Sequence, residues 1–394
     1  MIDETTTATV VPTQRTSSTI ALSAGFALTG AGTVMMGVLL PVLSLRWGLR
    51  DDQAGLLLFL QFVACALGAI VTGRNRVYTM TIGYGLLAAT LGLLAIDGSR
   101  AAYAAFFLYG LGLGMAMTST SLLFANRWGD ASAAKLEWLN FVWSAGATAG
   151  PVCFLPLLRR GDLRSLFVTM AALSFAMLVW VVSQEGNERE RHDPHFDAAG
   201  QPGAIRGSLR GLIAILLLLT MITVGMEAAL SGWLTTYSQR VGMHSLAGAA
   251  LATSMFWLGE MASRLVFSTR LLAKVGRGAA LQACSWGVAA MAILIVAAPR
   301  PSLILVAAAA AGAFVGPLYP LQLSFLLELS PWGWFFAVGG IGAAFVPWVT
   351  GLISANFHSL RLGMTVPCLA GFAMIALNVL VIRRITPENS SAIQ

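Results

Sequence analysis

Three ionisable side chains lie where an ionisable side chain is expensive. Glu227 sits inside the apolar run LLLLTMITVGMEAALSGWL, away from both of its ends. Glu260 and Arg264 sit in MFWLGEMASRLVF, four residues apart and therefore on one face of a helix. A charge at the depth of a bilayer costs about 2.5–3.5 kcal/mol on insertion scales, so each of the three needs a partner or a purpose. Thr220, Thr223, Glu227 and Ser231 recur at three- and four-residue intervals and form one polar stripe on an apolar helix. A carboxylate on such a stripe can face a cavity and bind a hydroxyl group or a proton. The alternative is a structural hydrogen bond to a neighbouring helix. For Glu260 and Arg264, mutual neutralisation is the first reading, and gating or coupling is the second.

Uncharged polar residues supply further candidates. Asn140, Ser144 and Thr148 form a row at four-residue spacing, with Trp143 beside them. Glu137, next to Lys135 at the start of that run, reads as an interfacial carboxylate. Gln61 and Gln322 each stand in an apolar run and can both donate to and accept from hydroxyls. Tyr319, Trp257 and Trp233 offer aromatic faces. A set of amides beside aromatic platforms suits a solute with hydroxyl edges and apolar C–H faces. Each tryptophan taken singly reads more readily as packing or as an interfacial anchor.

The elements that must position these residues follow from composition. The chain has 394 residues, 57% of them hydrophobic and only 10% charged, with a mean hydropathy of +0.77. Ordinary soluble domains carry about 25% charged residues, so lipid is the solvent for most of this chain. At roughly 20 residues per span plus short turns, the length accommodates about twelve membrane helices. Apolar runs occur at 19–45, 53–73, 78–96, 101–125, 136–158 and 165–183, and again at 211–238, 246–272, 279–298, 302–328, 331–355 and 362–382. Between the two sets lies the one long polar interruption, 184–210. The expected organisation is a tail over 1–18, a six-helix bundle over 19–183, a linker over 184–210, a second six-helix bundle over 211–382, and a tail over 383–394.

The halves echo each other. GLGLG at 110–114 corresponds to GAFVG at 312–316, and GATAGP at 146–151 to GAAFVP at 342–347. RWGLRDDQAGLLLFLQFVACALG and RVGMHSLAGAALATSMFWLG are a further pair. Small residues recurring in the same order predict a duplicated unit with close helix packing. The formal charge of +7 is read as loop charge that sets topology, not as a nucleic-acid footprint. Its distribution favours both termini on the cytoplasmic side, although Arg159, Arg160 and Arg164 oppose that assignment. His192 and His195 read as linker residues. The four cysteines are scattered through apolar runs and read as small core residues, so no metal site or cofactor is expected.

These segments resemble the major facilitator superfamily, and within it the fucose–proton symporter and glucose/galactose transporter branch. The resemblance is carried by LNFVWSAGATAGP (139–151), GMEAALSGWLTTYSQR (225–240), SMFWLGEMASRLVFSTRLLAKVGRG (254–278), GAFVGPLYPLQLSFL (312–326) and GGIGAAFVPWVTGLIS (339–354). It implies an all-α membrane protein of twelve transmembrane helices in two pseudo-symmetric six-helix bundles. The bundles would surround a central cavity that opens to each side in turn, and the default would be a monomer in the cell (inner) membrane. The chain departs from the branch in three places. Thr72 of GAIVTGRNR stands near an expected Asp, the first and fourth spans carry no carboxylate, and Asn140 and Trp143 replace a Gln and an Asn.

The reading that follows is a secondary active transporter for a sugar or related polyhydroxy compound, not an enzyme. It would work in the bilayer on a small-molecule substrate, coupled to protons, with sodium as the alternative ion. Gln61, Asn140, Trp143, Glu227, Trp257, Tyr319 and Gln322 would bind substrate, and Glu227, Glu260 and Arg264 would serve coupling or gating. Two alternatives remain at this stage. One is an exporter of amphipathic compounds, or a lipid or glycolipid flippase, of the same fold. The other is a non-transporting receptor.

Overall fold

Twenty consecutive apolar residues in lipid have no water to satisfy their backbone, so each run closes its own hydrogen bonds as a helix. The computed structural model describes residues 12–73, 75–128, 132–185, 207–243, 245–266, 275–298, 300–329 and 335–385. Its first half contains α1 (Pro12–Trp47), α2 (Asp51–Ile70), α3 (Arg76–Trp128), α4 (Ser132–Cys153), α5 (Leu155–Arg160) and α6 (Leu163–Glu185). The second half contains α7 (Gly207–Val241), α8 (Leu246–Val266), α9 (Arg277–Ala297), α10 (Pro301–Val315), α11 (Leu318–Leu329), α12 (Phe335–Phe357), α13 (Leu360–Gly363) and α14 (Thr365–Ile385). Most of the expected linker, 186–206, lies outside the described residues, as do the linker histidines.

Among the described residues, eleven segments are long and apolar enough to cross a membrane. The expected twelfth, α8, forms a 21-residue helix but falls short in apolarity, because Glu260 and Arg264 interrupt it. It packs between α4, α7 and α10, so protein rather than lipid surrounds its charges. The helical run α3 spans 53 residues. At 1.5 Å per residue a straight helix of that length would far exceed a bilayer. A Cβ on Gly83 would meet the Ala116 nitrogen at 2.8 Å and the Gly112 carbonyl at 2.9 Å. The chain therefore doubles back between 96 and 101, and α3 supplies two antiparallel spans.

Proline accounts for two departures from the expected runs. The fifth span breaks at Phe154 into α4 and α5, with Pro156 in the first turn of α5. The tenth, expected as a single helix over 302–328, divides into α10 and α11 at Gly316–Pro317. Pro317 and Pro320 have no N–H to donate to the carbonyls four residues before them, so the ladder cannot continue. At the N-terminus, α1 begins at Pro12, inside the segment expected to be a tail.

The matched motifs make matched contacts. Gly110 and Gly114 lie against the backbone of Gln61 and Cys65 on α2, while Gly312 lies against Phe256 and Gly316 against Glu260 on α8. Gly146 and Gly150 meet Ala27 and Ala31 on α1, and Gly342 meets Met221 on α7. Equivalent small residues thus join the first, second, fourth and fifth spans of one half as they join the seventh, eighth, tenth and eleventh of the other. The halves meet where α2 packs on α12, α4 on α8 and α1 on α7. Cys284 and Cys368 are buried, whereas Cys153, expected in the core, is exposed.

A polar seam between the halves as candidate functional site

The α4–α8 contact brings the charged residues of the second half against the first. Arg264 Nη2 lies 2.5 Å from Glu260 Oε1, one turn earlier on α8. Its Nη1 donates to Ser144 Oγ on α4 at 3.0 Å. Glu260 is fully buried and its Oε2 accepts no hydrogen bond. Glu227 stands in the field of both Arg264 and Glu260, and Tyr319 in the fields of Glu227 and Arg264. The guanidinium thus pairs with one carboxylate and acts on the second through space. With all three ionised the cluster carries one net negative charge, which a proton or a bound cation must offset in so dry a place.

At the residue next to Ser144, an aromatic contact joins the same seam. Trp143 of α4 and Trp257 of α8 meet edge to face, with ring centroids 5.1 Å apart. Both indole nitrogens are buried without a hydrogen-bond acceptor, as is the hydroxyl of Ser254, three residues before Trp257. Gln61 donates to the Thr33 carbonyl of α1 at 3.2 Å, and Gln322 to the Thr223 hydroxyl of α7 at 2.7 Å. Each of these amides keeps its carbonyl oxygen buried and unpaired. Unpaired buried donors and acceptors cost about 1–3 kcal/mol each, so a site holding several is built to pair with something else.

The structure thus draws together Trp143, Glu227, Trp257, Tyr319, Gln322, Glu260 and Arg264, from α4, α7, α8 and α11. Gln61 lies at the α1–α2 contact facing the first half's fourth span. Asn140 is exposed, one turn toward the chain-termini end from Ser144. The side chain of Glu137 falls outside the described set. Of the Thr220–Ser231 stripe, Thr220, Thr223 and Ser231 are buried and Glu227 is half-buried, and Thr220 and Thr223 donate to carbonyls of their own helix. Trp233, which offered an aromatic face but taken singly read as packing, is a packing anchor: it is fully buried and its Nε1 donates to the Pro347 carbonyl at 2.9 Å. Ser144 and Ser254 join the site without having been singled out for it, since serine in an apolar helix is too common to be a signal alone. Among the described residues no three His, Cys, Asp or Glu side chains are grouped to hold a metal ion.

Two helical halves meeting along a buried seam of unpaired polar groups are the architecture of a polytopic membrane protein with a polar site between its bundles. The family model of the Major Facilitator Superfamily matches residues 22–331, and the chain belongs to that superfamily. No curated protein matches it in sequence. Among solved structures it is similar to the nucleoside transporter NupG, at 13% identity and a TM-score of 0.70, covering 95% of this chain and 100% of that one. It is also similar to a POT family transporter in complex with a thioalcohol-conjugated peptide, at 12% identity and a TM-score of 0.74, covering 94% and 96%. A bacterial homologue of the human drug peptide transporters aligns at 16% identity and a TM-score of 0.68, covering 95% and 99%. Identities this low establish the fold alone; it is membership of the superfamily that makes the chain a multi-pass membrane transport protein.

Proposed function

We propose that the protein is a proton-coupled secondary transporter for a small polyhydroxy solute, a sugar or a compound built on one. The observation that carries this reading is the pairing of unequal halves in one seam. Arg264 pairs with Glu260 and stands in the field of Glu227, and the indole N–H groups of Trp143 and Trp257 and the carbonyl oxygen of Gln322 are buried in the same seam without partners, as is that of Gln61 at the α1–α2 contact. Donors and acceptors together match hydroxyls, which do both, and the indole rings match the C–H face of a sugar ring. The carboxylates held at membrane depth support proton coupling, because taking up a proton removes the cost of a charge there. The resemblance to the fucose and glucose/galactose branch supports the same substrate class. The nucleoside transporter among the structural neighbours handles a solute that also contains a sugar ring. The basic-residue bias supports both termini in the cytoplasm of a cell (inner) membrane, and the family default supports a monomer.

A thermal-shift screen of the purified protein tests this, against sugars, polyols, nucleosides, peptides and amphipathic compounds, across pH and with or without sodium. A ligand that binds the folded state raises its apparent stability by mass action. Stabilisation by one sugar or nucleoside class, stronger at lower pH and indifferent to sodium, is the expected result. Stabilisation by peptides alone, or by apolar compounds alone, overturns the substrate class.

A further inference from the structure

At the end of the molecule opposite the chain termini, a second polar cluster joins the halves and touches no residue of the seam described above. Asp51, in the first turn of α2, receives three hydrogen bonds from the other half. Arg240, in the last turn of α7, donates Nη1 to Asp51 Oδ2 and Nη2 to Oδ1, both at 2.7 Å. Ser354, in the last turn of α12, donates its hydroxyl to the same Oδ2 at 2.5 Å. The Asp51 side chain is only 13% exposed, although Arg240 reaches the rim at 46%. An ordinary surface ion pair contributes little. This one is bidentate, is joined by a third donor, and is shielded on the carboxylate side, which are the conditions under which such a pair is worth most.

Beneath it the halves are in contact at van der Waals distance. A Cβ on Gly55 of α2 would lie 3.2 Å from the Trp348 Cα on α12, and one on Gly37 of α1 would lie 2.9 Å from the Gly232 Cα on α7. Phe59 of α2 packs edge to face on Phe345 of α12, with centroids 5.1 Å apart. These contacts bring the halves together at this end around small residues and rings, with Leu58 buried beside Gly232. None of them is directional enough to resist sliding apart, whereas the Asp51 cluster must break three bonds at once.

We infer that Asp51, Arg240 and Ser354 form a latch that holds this end shut, so that its making and breaking sets how often the central seam is open to that side. The inference rests on the alternating-access reading but not on the substrate or the coupling ion. Protein carrying Leu58→Cys, reconstituted in vesicles of defined orientation, is labelled with a membrane-impermeant maleimide, and labelling of protein without that substitution is subtracted. Asp51→Asn and Arg240→Gln are each expected to raise the labelling rate of Leu58→Cys about tenfold or more, as loss of a charge-assisted pair implies. The rise should appear only from the side that this end faces. The swapped pair Asp51→Arg with Arg240→Asp should return the rate toward that of the parent. Unchanged labelling in both single variants overturns the latch. So does a rise from both sides of the membrane, or one accompanied by a lost melting transition, since either marks general loosening. A failed ligand screen leaves this result intact, and the two readings therefore fail separately.

Discussion

Arg264 and Ser144, 120 residues apart in the chain, meet at 3.0 Å across the boundary between the halves while the same guanidinium pairs with Glu260 on its own helix. The charge balance of the second half is thereby tied to its contact with the first. If Glu260 or Glu227 takes up a proton, the guanidinium loses part of what holds it, and the α4–α8 contact changes with it. On the proton-coupled reading proposed above, occupancy of a carboxylate would in this way bias one bundle against the other.

Coupling through Glu227 makes a specific kinetic prediction. Glu227→Gln should abolish accumulation against a gradient in proteoliposomes while leaving counterflow exchange at a measurable fraction of the parent rate. The solute used is whichever one stabilises the protein in the thermal-shift screen. Concentrative uptake equal to that of the parent would remove Glu227 from the coupling machinery.

Removal of Arg264 should expose the cost of an uncompensated charge. Glu260 is fully buried, so Arg264→Gln strips the counter-charge from a carboxylate that cannot reach water. Breaking a buried pair on one side costs about 3–5 kcal/mol, whereas replacing both members can be nearly neutral. Melting of the single variant in detergent should fall well below that of Glu260→Gln/Arg264→Gln, and equal melting of the two would show that the pair carries no strain of this kind.

Helix proximity can be tested with two glycines of the same helical run. A Cβ at Gly110 would fall on the Gln61 carbonyl, while one at Gly85 meets nothing within 4 Å. Gly110→Ala is expected to destabilise by about 1–3 kcal/mol, as overpacking does. Gly85→Ala should be neutral or stabilise by about 0.5–1 kcal/mol through helix propensity. Similar thermal shifts in the two would mean that the first and second spans of α3 are not pressed on their neighbours as described.

The loop before α6 provides a pH test outside the membrane. Asp162 accepts from the Ser165 amide at 3.0 Å, in the position of a helix cap. Hydrogen bonds from the Ser165 hydroxyl and amide, then the nearby Arg160 and Arg164, hold its carboxyl below the usual carboxylate range. A depressed value in the folded state means that the cap stabilises at all pH above the unfolded value of about 3.9 and is lost as pH falls through the folded one. Asp162→Ala should therefore lower the melting temperature at pH 7, by an amount that shrinks as the pH is taken below the unfolded value. A difference that is constant with pH would exclude the charged cap.

What the sequence determined by itself was whatever the solvent and the covalent chain dictate locally. Apolar runs of membrane length had to become helices, and the polar stretch at 184–210 had to divide them. Gly110 and Gly114, like Gly312 and Gly316, announced close packing because only small residues recur at that spacing without a periodic polar partner. Glu227, Glu260 and Arg264 stood out because charge in an apolar run is costly whatever lies beside it. The tertiary structure decided what lies beside it. Helical periodicity gives the face on which a residue stands but not the helix that comes to meet it, so the bond from Arg264 to Ser144 was invisible. So was the role of Trp233 as an anchor on Pro347, which only its burial reveals. The break at Gly316–Pro317 was written in the sequence but hidden by an apolar run long enough to pass for one helix. Asp51 and Arg240, separated by 189 residues, looked like any other charges in short loops. The fold alone brings them to one point, because the ends of α2 and α7 emerge together on the same side of the membrane.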